Sequence, residues 1–281
     1  MKEFKKLKFL YFVWNLIFGI GNFLKMIKLK LPEEIVILRE GGKRLAEIMQ
    51  ELSAFVAPGI STDKIDEMAL KLIEKGGDKP ALLHYRPYGG RRPYPASICV
   101  SVNDVVVHGI PIENPITLKE GDIIGLDTTI SHKNLITDMA VTLPVGQIDE
   151  DARKLLEVTK NALYIGIKSA RPGKRVGDIG FAIEEFIEPF GYGIVRELAG
   201  HGVGYKVHEQ PYVPNFGKKD TGEKLKPGLV IAIEPMINEG TEKIILDKDG
   251  YTYRTADGKR SAHFEHTVAI TEDGPEILTK L

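Results

Sequence analysis

The sequence predicts an α+β fold built as one main domain. Its apolar residues recur first at helical spacing, then in short strand-like runs, and then at helical spacing again. Helices and strands that are grouped in this way, without strict alternation, are typical of α+β proteins. Because no change in composition marks a linker beyond residue 30, we expect a single domain over residues 26–281.

The first predicted elements are two helices. One begins at Pro32, because Pro suits the first helical turn and the two glutamates after it favour the positive end of the helix dipole. Its apolar residues keep helical spacing as far as Phe55, and a Pro-Gly pair then ends it. The second helix starts near Thr62 and stops at Gly76, and an irregular stretch rich in Tyr, Arg, Pro and Gly follows at 84–95.

The remaining elements are short strands and two more helices. The predicted strands are 97–102, 122–129, 139–143, 229–233 and 264–270. Helical spacing returns at 151–170 and 176–190, between the third and the fourth of these strands.

Composition is that of a globular protein without a general affinity for nucleic acid. Hydrophobic residues make up 43% and charged residues 27%, and the formal net charge is −1. No global positive field therefore attracts the chain to a nucleic acid. The single cysteine, Cys99, excludes an internal disulfide and fits a reducing compartment, so we expect a cytoplasmic protein.

Residues 1–25 are a hydrophobic extension with basic flanks. The run FLYFVWNLIFGIGNFL at 9–24 carries no charge, and four lysines precede it. This run is shorter than the roughly 20 residues that cross a bilayer, and no small-x-small cleavage site follows it. Two interpretations stay open: a membrane-associating anchor, or a start codon upstream of a working chain that begins at Met26.

Four acids and one histidine stand where a shared metal ion would explain them. The acids are Asp127, Asp138, Glu234 and Glu265, most of them among apolar or β-forming neighbours, and His201 lies in a Gly-His-Gly. A carboxylate in such surroundings is costly unless a cation compensates it. The oxygen-rich donor set suits two divalent ions bridged by carboxylates. Such a pair generates hydroxide at neutral pH, so we expect hydrolysis of an amide, an ester or a phosphate.

Two further histidines, His108 and His208, lie in similar turns and could bind a carbonyl oxygen or a scissile nitrogen. Structural alternatives stay open, because His108 also fits an ordinary turn and Glu265 alone fits a solvent-facing strand position. The other histidines are interpreted as surface or strand residues without a metal role: His84, His132, His263 and His266. Residue by residue, the sequence indicates no more than a metal hydrolase.

Five segments, taken together, resemble the methionine aminopeptidases. They are ICVSVNDVVVHGIP (98–111), GDIIGLDTTISHKNLITDMAVT (121–142), AGHGVGYKVHEQPYVPN (199–215), LKPGLVIAIEPMIN (225–238) and SAHFEHTVAIT (261–271). The likeness runs from about Met26 to the end of the chain, with the segments in the family's order and spacing. It implies the pita-bread fold, in which two pseudo-symmetric halves enclose a dinuclear metal site.

The resemblance also implies a metal-ligand set. Asp127 would bind one ion, His201 and Glu234 would bind the other, and Asp138 and Glu265 would bridge the two. Glu234 would also relay protons. The implied cofactors are two divalent metal ions, for which the family offers cobalt, manganese, iron or zinc.

The same resemblance implies roles around the substrate. His208 would stabilise the carbonyl oxygen and His108 would contact the scissile nitrogen, while Cys99 and Tyr94 match positions near the methionine pocket. The implied reaction removes the N-terminal methionine from nascent proteins when the second residue is small, by attack of a metal-bridged hydroxide. The ribosome is an expected partner, membrane contact is expected only through 1–25, and a monomer is the expected state.

Within the family, the short segment between His201 and Glu234 favours type I, and the absence of a Cys/His-rich leader favours the bacterial type. Val107 and Val207 depart from the usual residues before the two turn histidines, and the 84–95 loop is longer and more basic than usual.

Two alternatives stay open: a proline-specific aminopeptidase of the same fold, and an inactive relative that only binds. The proline-specific enzymes normally carry a sizeable N-terminal domain, which 25 residues cannot form.

Overall fold

A computed structural model describes residues 27–87 and 89–281. The hydrophobic extension at 1–25 lies outside the described residues, so both interpretations of it remain predictions.

The four predicted helices are present. They are α1 (Pro32–Phe55), α2 (Thr62–Lys75), α3 (Glu150–Ser169) and α4 (Val176–Ile187). Helix α3 begins where the side chain of Asp149 accepts a 2.8 Å hydrogen bond from the backbone N–H of Ala152, as an N-cap residue does. The prediction extended α4 to residue 190, but Glu188–Phe190 is a 3₁₀ turn that leads into the left-handed Gly191.

The strands are more numerous than the sequence predicts. In chain order they are β1 (Lys79–Pro80), β2 (Cys99–Val102), β3 (Val105–Val107), β4 (Ile123–His132), β5 (Leu135–Pro144), β6 (Gly193–Ile194), β7 (Gly200–Gly202), β8 (Glu209–Val213), β9 (Val230–Ile233), β10 (Met236–Asn238), β11 (Ile244–Leu246), β12 (Tyr253–Thr255), β13 (Ser261–His263), β14 (Glu265–Thr271) and β15 (Gly274–Ile277). The five predicted strands correspond to β2, β4, β5, β9 and β14. The others have five residues or fewer, too few to show a clear alternation.

The larger sheet joins strands that are far apart in sequence. Its order is β1–β4–β5–β14–β9–β7–β8, with β15 added to β14 and β2 added to β4. Each of these pairings is antiparallel. Strand β14, near the end of the chain, therefore lies between β5 and β9 and connects the two halves of the sheet.

Each half of the sheet is covered by a pair of helices. Helices α1 and α2 pack on β2, β4 and β5 through a core that includes Leu45, Ile65 and Leu126. Helices α3 and α4 pack on β9 and β14 through a second core that includes Ile179 and Ile231. Each half thus consists of a helix pair packed on part of one continuous sheet. This is the two-half arrangement that the resemblance implies.

Alternation along the strands decides which face remains for chemistry. In β4, Ile124, Leu126 and Ile130 belong to the core under the helices. Successive side chains of a strand point to opposite faces, so Asp127 lies on the face away from the helices. The helices thus support the sheet from one side, and its polar residues collect on the other.

In the part of the chain that the structure describes, no helix combines the length and the apolar character needed to span a bilayer.

Candidate metal centre

Strand register aligns the predicted ligands of the first half. Asp127 of β4 pairs with Ala140 of β5, and Ala140 in turn pairs with Glu265 of β14. Residues opposite one another in antiparallel strands share a face, and so do residues two apart along one strand. Asp127, Asp138 and Glu265 therefore lie on one face of three neighbouring strands.

The second half contributes the other two predicted ligands. Glu234 directly follows β9, whose register against β14, with His266 opposite Ile233, brings it opposite Glu265. Strand β7 pairs with the other edge of β9 and carries His201. The structure thus brings together all five residues that the sequence singles out as metal ligands.

Burial separates these five residues into two groups. Asp138, His201 and Glu265 are buried, and one donor atom of each lies within 4.8 Å of the others. Asp127 and Glu234 are partly accessible to solvent. The interpretation of Glu265 as a solvent-facing strand residue is wrong, because its exposed fraction is only 2%. A small molecule would reach the cluster from the side of Asp127 and Glu234.

The electrostatics of the cluster favour a cation. Burial, and to a smaller extent repulsion from the neighbouring carboxylates, raises the pKa of Asp127, Glu234 and Glu265 well above the usual range. Burial raises the pKa of Asp138 to about 7, although Thr129 and a backbone N–H bind the ionised form. Divalent cations would compensate these crowded charges directly.

Hydrogen bonds orient two of the predicted ligands. The hydroxyl of Thr129 donates to Oδ1 of Asp138 at 2.7 Å, and the backbone N–H of Met139 donates to the same oxygen at 3.1 Å. Nδ1 of His201 donates to the carbonyl of Gly202 at 2.9 Å, since a carbonyl can only accept. The lone pair of His201 is therefore on Nε2, the arrangement that metal-binding histidines usually show.

One oxygen in the cluster has no protein partner. Oε1 of Glu265 is buried, and no hydrogen bond to it is found among the described residues. A buried carboxylate oxygen of this kind is costly unless something binds it. Oxygen-rich donors, a histidine with a fixed tautomer and an oxygen without a partner together fit divalent cations of the hard or borderline kind.

The two turn histidines lie beside the cluster. The ring centres of His201 and His208 are 4.5 Å apart. The hydroxyl oxygen of Tyr85 lies 2.8 Å from Nδ1 of His208. His108 follows β3 with a left-handed φ of 59°. Burial and the nearby His201 lower the pKa of His108 to about 4 and the pKa of His208 well below its usual value. Both rings are therefore neutral at physiological pH, as donors or acceptors to a substrate should be.

A cluster of apolar side chains adjoins the carboxylates. Cys99 of β2 pairs with Asp127 of β4, so it continues the same row of side chains. Cys99 and Tyr94 belong to one buried cluster with Leu82, Ile110 and Val207, and Tyr251 packs edge-on against Tyr94 at 5.2 Å. The hydroxyl of Tyr94 donates to the carbonyl of Gly109 at 2.8 Å, so its polar end is satisfied while its ring packs in this cluster.

His263 belongs to this site, although the sequence analysis treats it as an ordinary strand residue. It is buried, and its Nε2 lies 3.6 Å from Oε2 of Glu234, whose Oε1 lies 3.4 Å from Nε2 of His201. Burial and the nearby His108 and His201 lower the pKa of His263 to about 3. The one signal in the sequence for a role of His263 is its position two residues before the predicted ligand Glu265.

The remaining three histidines have contacts outside the five-residue cluster or are exposed. His132 contacts Asp78 and Glu40, and His266 is bonded to Thr279. His84 is exposed.

Comparison with known proteins gives the class of the protein independently of the geometry. The model of metallopeptidase family M24 matches residues 36–272, and the chain belongs to this family of metal-dependent hydrolases. Relatives that are 37–46% identical to the chain are methionine aminopeptidases. The chain is 45% identical over 256 residues to methionine aminopeptidase 1 of Bacillus subtilis, covering 91% of this chain and 100% of that one. It is 37% identical over 253 residues to the methionine aminopeptidase of Escherichia coli, covering 90% and 94%.

Solved structures agree with the predicted fold. The crystal structure of methionine aminopeptidase from Thermotoga maritima superposes with a TM-score of 0.86 at 41% identity, covering 91% of this chain and 100% of that one. An Xaa-Pro dipeptidase from Bacillus anthracis shares the fold, with a TM-score of 0.70 at 21% identity, and this chain covers 62% of it. The prediction of a pita-bread fold of the bacterial methionine aminopeptidase type is confirmed.

Proposed function

We propose that this protein removes the N-terminal methionine from nascent polypeptides whose second residue is small. The observation that carries this proposal is the pairing of Cys99 with Asp127, which sets an apolar cluster of side chains directly beside the carboxylates. A methionine side chain packed against that cluster would bring its α-amino group and its carbonyl carbon to the carboxylates. Full-length similarity to methionine aminopeptidases supports the same substrate.

In this proposal Asp127, Asp138, His201, Glu234 and Glu265 hold two divalent cations. When bound, the cations supply Lewis acidity and a strong nucleophile at neutral pH. Glu234 takes up the proton of the attacking water and delivers it to the leaving amine. The carboxylate lies between two imidazoles, with Nε2 of His201 at 3.4 Å and Nε2 of His263 at 3.6 Å.

His208 acts on the carbonyl oxygen of the substrate. In this role the hydroxyl of Tyr85, 2.8 Å from Nδ1, would donate to that nitrogen, so that the ring proton is on Nε2 and Nε2 is the donor to the substrate. This donor stabilises the negative charge that develops as the carbonyl carbon becomes tetrahedral. His108 would contact the scissile nitrogen.

Cleavage of short peptides tests the reaction. After chelation and addition of manganese, cobalt, iron or zinc, we expect release of methionine from Met-Ala-Ser and no cleavage of Gly-Pro-Ala. Activity should disappear on chelation and return with metal, because the nucleophile depends on the cations.

Cleavage of Gly-Pro-Ala alone would assign the protein to the proline-specific enzymes that share its fold. A folded protein that binds metal and cleaves neither peptide would favour a binding function. Met-Trp-Ser is a matched control, since a large second residue should prevent cleavage.

The catalytic unit in this proposal is 26–281, and we expect deletion of 1–25 to leave peptide cleavage unchanged within about twofold. The described chain from Ile27 onward contains all the residues of the proposed site. The measurement is kcat/KM of the two proteins on Met-Ala-Ser. A large loss, or a deletion variant that does not fold, would show that the extension belongs to the enzyme.

The cellular setting of the proposal is the cytoplasm, where substrates emerge from the ribosome, with the enzyme as a monomer. Membrane contact would come only through 9–24. Sedimentation of the full chain, but not of the deletion variant, with phosphatidylglycerol vesicles would identify these residues as an anchor.

A further inference from the structure

Lys30 is a buried lysine near the beginning of the described chain. Its side chain is 1% exposed, and its Nζ lies 2.8 Å from Oε2 of Glu209, 179 residues away in sequence. Such a buried ion pair contributes little net stability, because desolvation offsets most of the attraction. The Lys30–Glu209 ion pair is therefore better understood from the nearby groups that it holds in place than from its contribution to stability.

Glu209 holds the loop that precedes it. Its Oε1 accepts hydrogen bonds from the backbone N–H groups of Tyr205 and Lys206, while Oε2 accepts from Lys30. The loop formed by residues 203–208 is therefore held by backbone hydrogen bonds to the carboxylate of Glu209. The last residue of this loop is His208, and the strand before the loop carries His201.

Lys30 also packs against this loop at Gly204 and Tyr205. Gly204 has a φ of +136°, which favours glycine, and a Cβ atom there would lie 2.4 Å from Cε of Lys30, so a side chain at 204 would also displace the end of the lysine. The ammonium also lies 4.8 Å from the ring centre of Tyr205. The backbone N–H of Lys30 donates to the carbonyl of Gly228 at 2.7 Å, which fixes the lysine to the turn before β9.

We propose that Lys30 is a positioning residue for His208: its ion pair with Glu209 keeps the 203–208 loop in the conformation that aims His208 at the substrate carbonyl. This inference rests on the role of His208 in the proposed function. Displacement of a catalytic group by about 1 Å can reduce turnover about 100-fold. Lys30 thereby connects the segment that follows the hydrophobic extension to the active site.

Lys30→Met tests the proposal, since methionine keeps most of the apolar stem and removes the charge. We expect kcat on Met-Ala-Ser to fall about 10- to 100-fold with KM changed by less than about threefold. Metal content should equal that of the wild type. Lys28→Met is the matched control, because Lys28 lies over the same Tyr205 ring at 4.5 Å but is exposed, and it should behave as wild type.

Combination with His208→Ala separates positioning from general damage. If Lys30 acts through His208, Lys30→Met should lower kcat no further in the His208→Ala background. Equal losses in both backgrounds, or wild-type kcat for Lys30→Met, would overturn the proposal. If Lys30→Met does not fold, Glu209→Gln takes its place, with the same expected pattern.

A readout without turnover keeps this inference distinct from the proposed function. In protein labelled with ¹⁵N-histidine, the ring signals of His208, assigned by their loss in His208→Ala, should shift in Lys30→Met and stay unchanged in Lys28→Met. Unchanged signals in both variants would refute the positioning role even if no peptide is cleaved. If the His208 signals shift in Lys30→Met but the wild type cleaves no methionine peptide, the proposed function alone would be refuted.

Discussion

Asp138→Asn is expected to lose peptide cleavage and metal binding together. Activity on Met-Ala-Ser should fall by at least about 10³-fold, the rate equivalent of about 4 kcal/mol, because both proposed cations depend on this carboxylate. Glu265→Gln should behave in the same way. Metal analysis after reconstitution and dialysis should give less than the wild-type content for both variants.

The position of Asp138 is the reason for so large an effect. Its carboxylate is buried on the face shared by Asp127 and Glu265, and one of its oxygens is already bound by Thr129 and a backbone N–H. These bonds fix the orientation of the Asp138 carboxylate. An amide of the same shape keeps the packing but removes the negative charge and one acceptor.

Thermal unfolding distinguishes a lost ligand from a damaged fold. The pKa of Asp138 is raised in the folded protein, so its ionised form costs stability above the ordinary pKa of an aspartate, and Asn removes this cost. The metal-free variant should therefore unfold at or above the temperature of the metal-free wild type. Added manganese should raise the unfolding temperature of the wild type only, since binding to the native state stabilises it.

Asp78→Asn is the matched control. Asp78 is also a buried carboxylate, but it pairs with Arg44 and His132 outside the site. This variant should lose stability and keep its metal and its turnover per folded molecule. Retention of normal activity by either Asp138→Asn or Glu265→Gln would contradict the bridging assignment.

The sequence predicts the helices and the long strands because these elements depend on local pattern. Helix α1 has a Pro start, two acids in its first turn and helical apolar spacing over its length, and its observed bounds match the prediction. Strands such as β7 and β13 have three residues each, and they pair with β9 and β10 across intervening segments of the chain. Three residues are too few to show an alternation, so these strands cannot be predicted from local pattern.

The candidate site shows the same division. Its charged ligands stand out because a carboxylate among apolar neighbours needs an explanation wherever it occurs, and the resemblance supplies their grouping. Tyr85, His263 and Lys30 are different, since each has an ordinary local environment in sequence. Their meaning depends on contacts with His208, Glu234 and Glu209, which only the fold creates. Residues that support a site through other residues are the ones that sequence reasoning misses.

His208→Ala is expected to lower turnover about 10²- to 10³-fold while metal stays bound, the scale of losing one donor to a developing oxyanion. His208 is not among the proposed metal ligands, so metal content and metal-induced stabilisation should equal those of the wild type. His84→Asn is the matched control, because His84 is exposed in the same region and has a left-handed φ of 64°, which asparagine tolerates.

The pH dependence of the loss identifies how His208 acts. Burial, together with His201 and His108, lowers the pKa of His208 well below its usual value, so the ring is neutral over the range from physiological pH upward. A neutral donor such as the amide of His208→Gln should therefore recover part of the rate. The ratio of wild-type kcat to His208→Gln kcat should be constant over this range. A ratio that falls steeply as the pH rises would mean that the imidazolium is the active form, and near-normal turnover of His208→Ala would return His208 to a structural role.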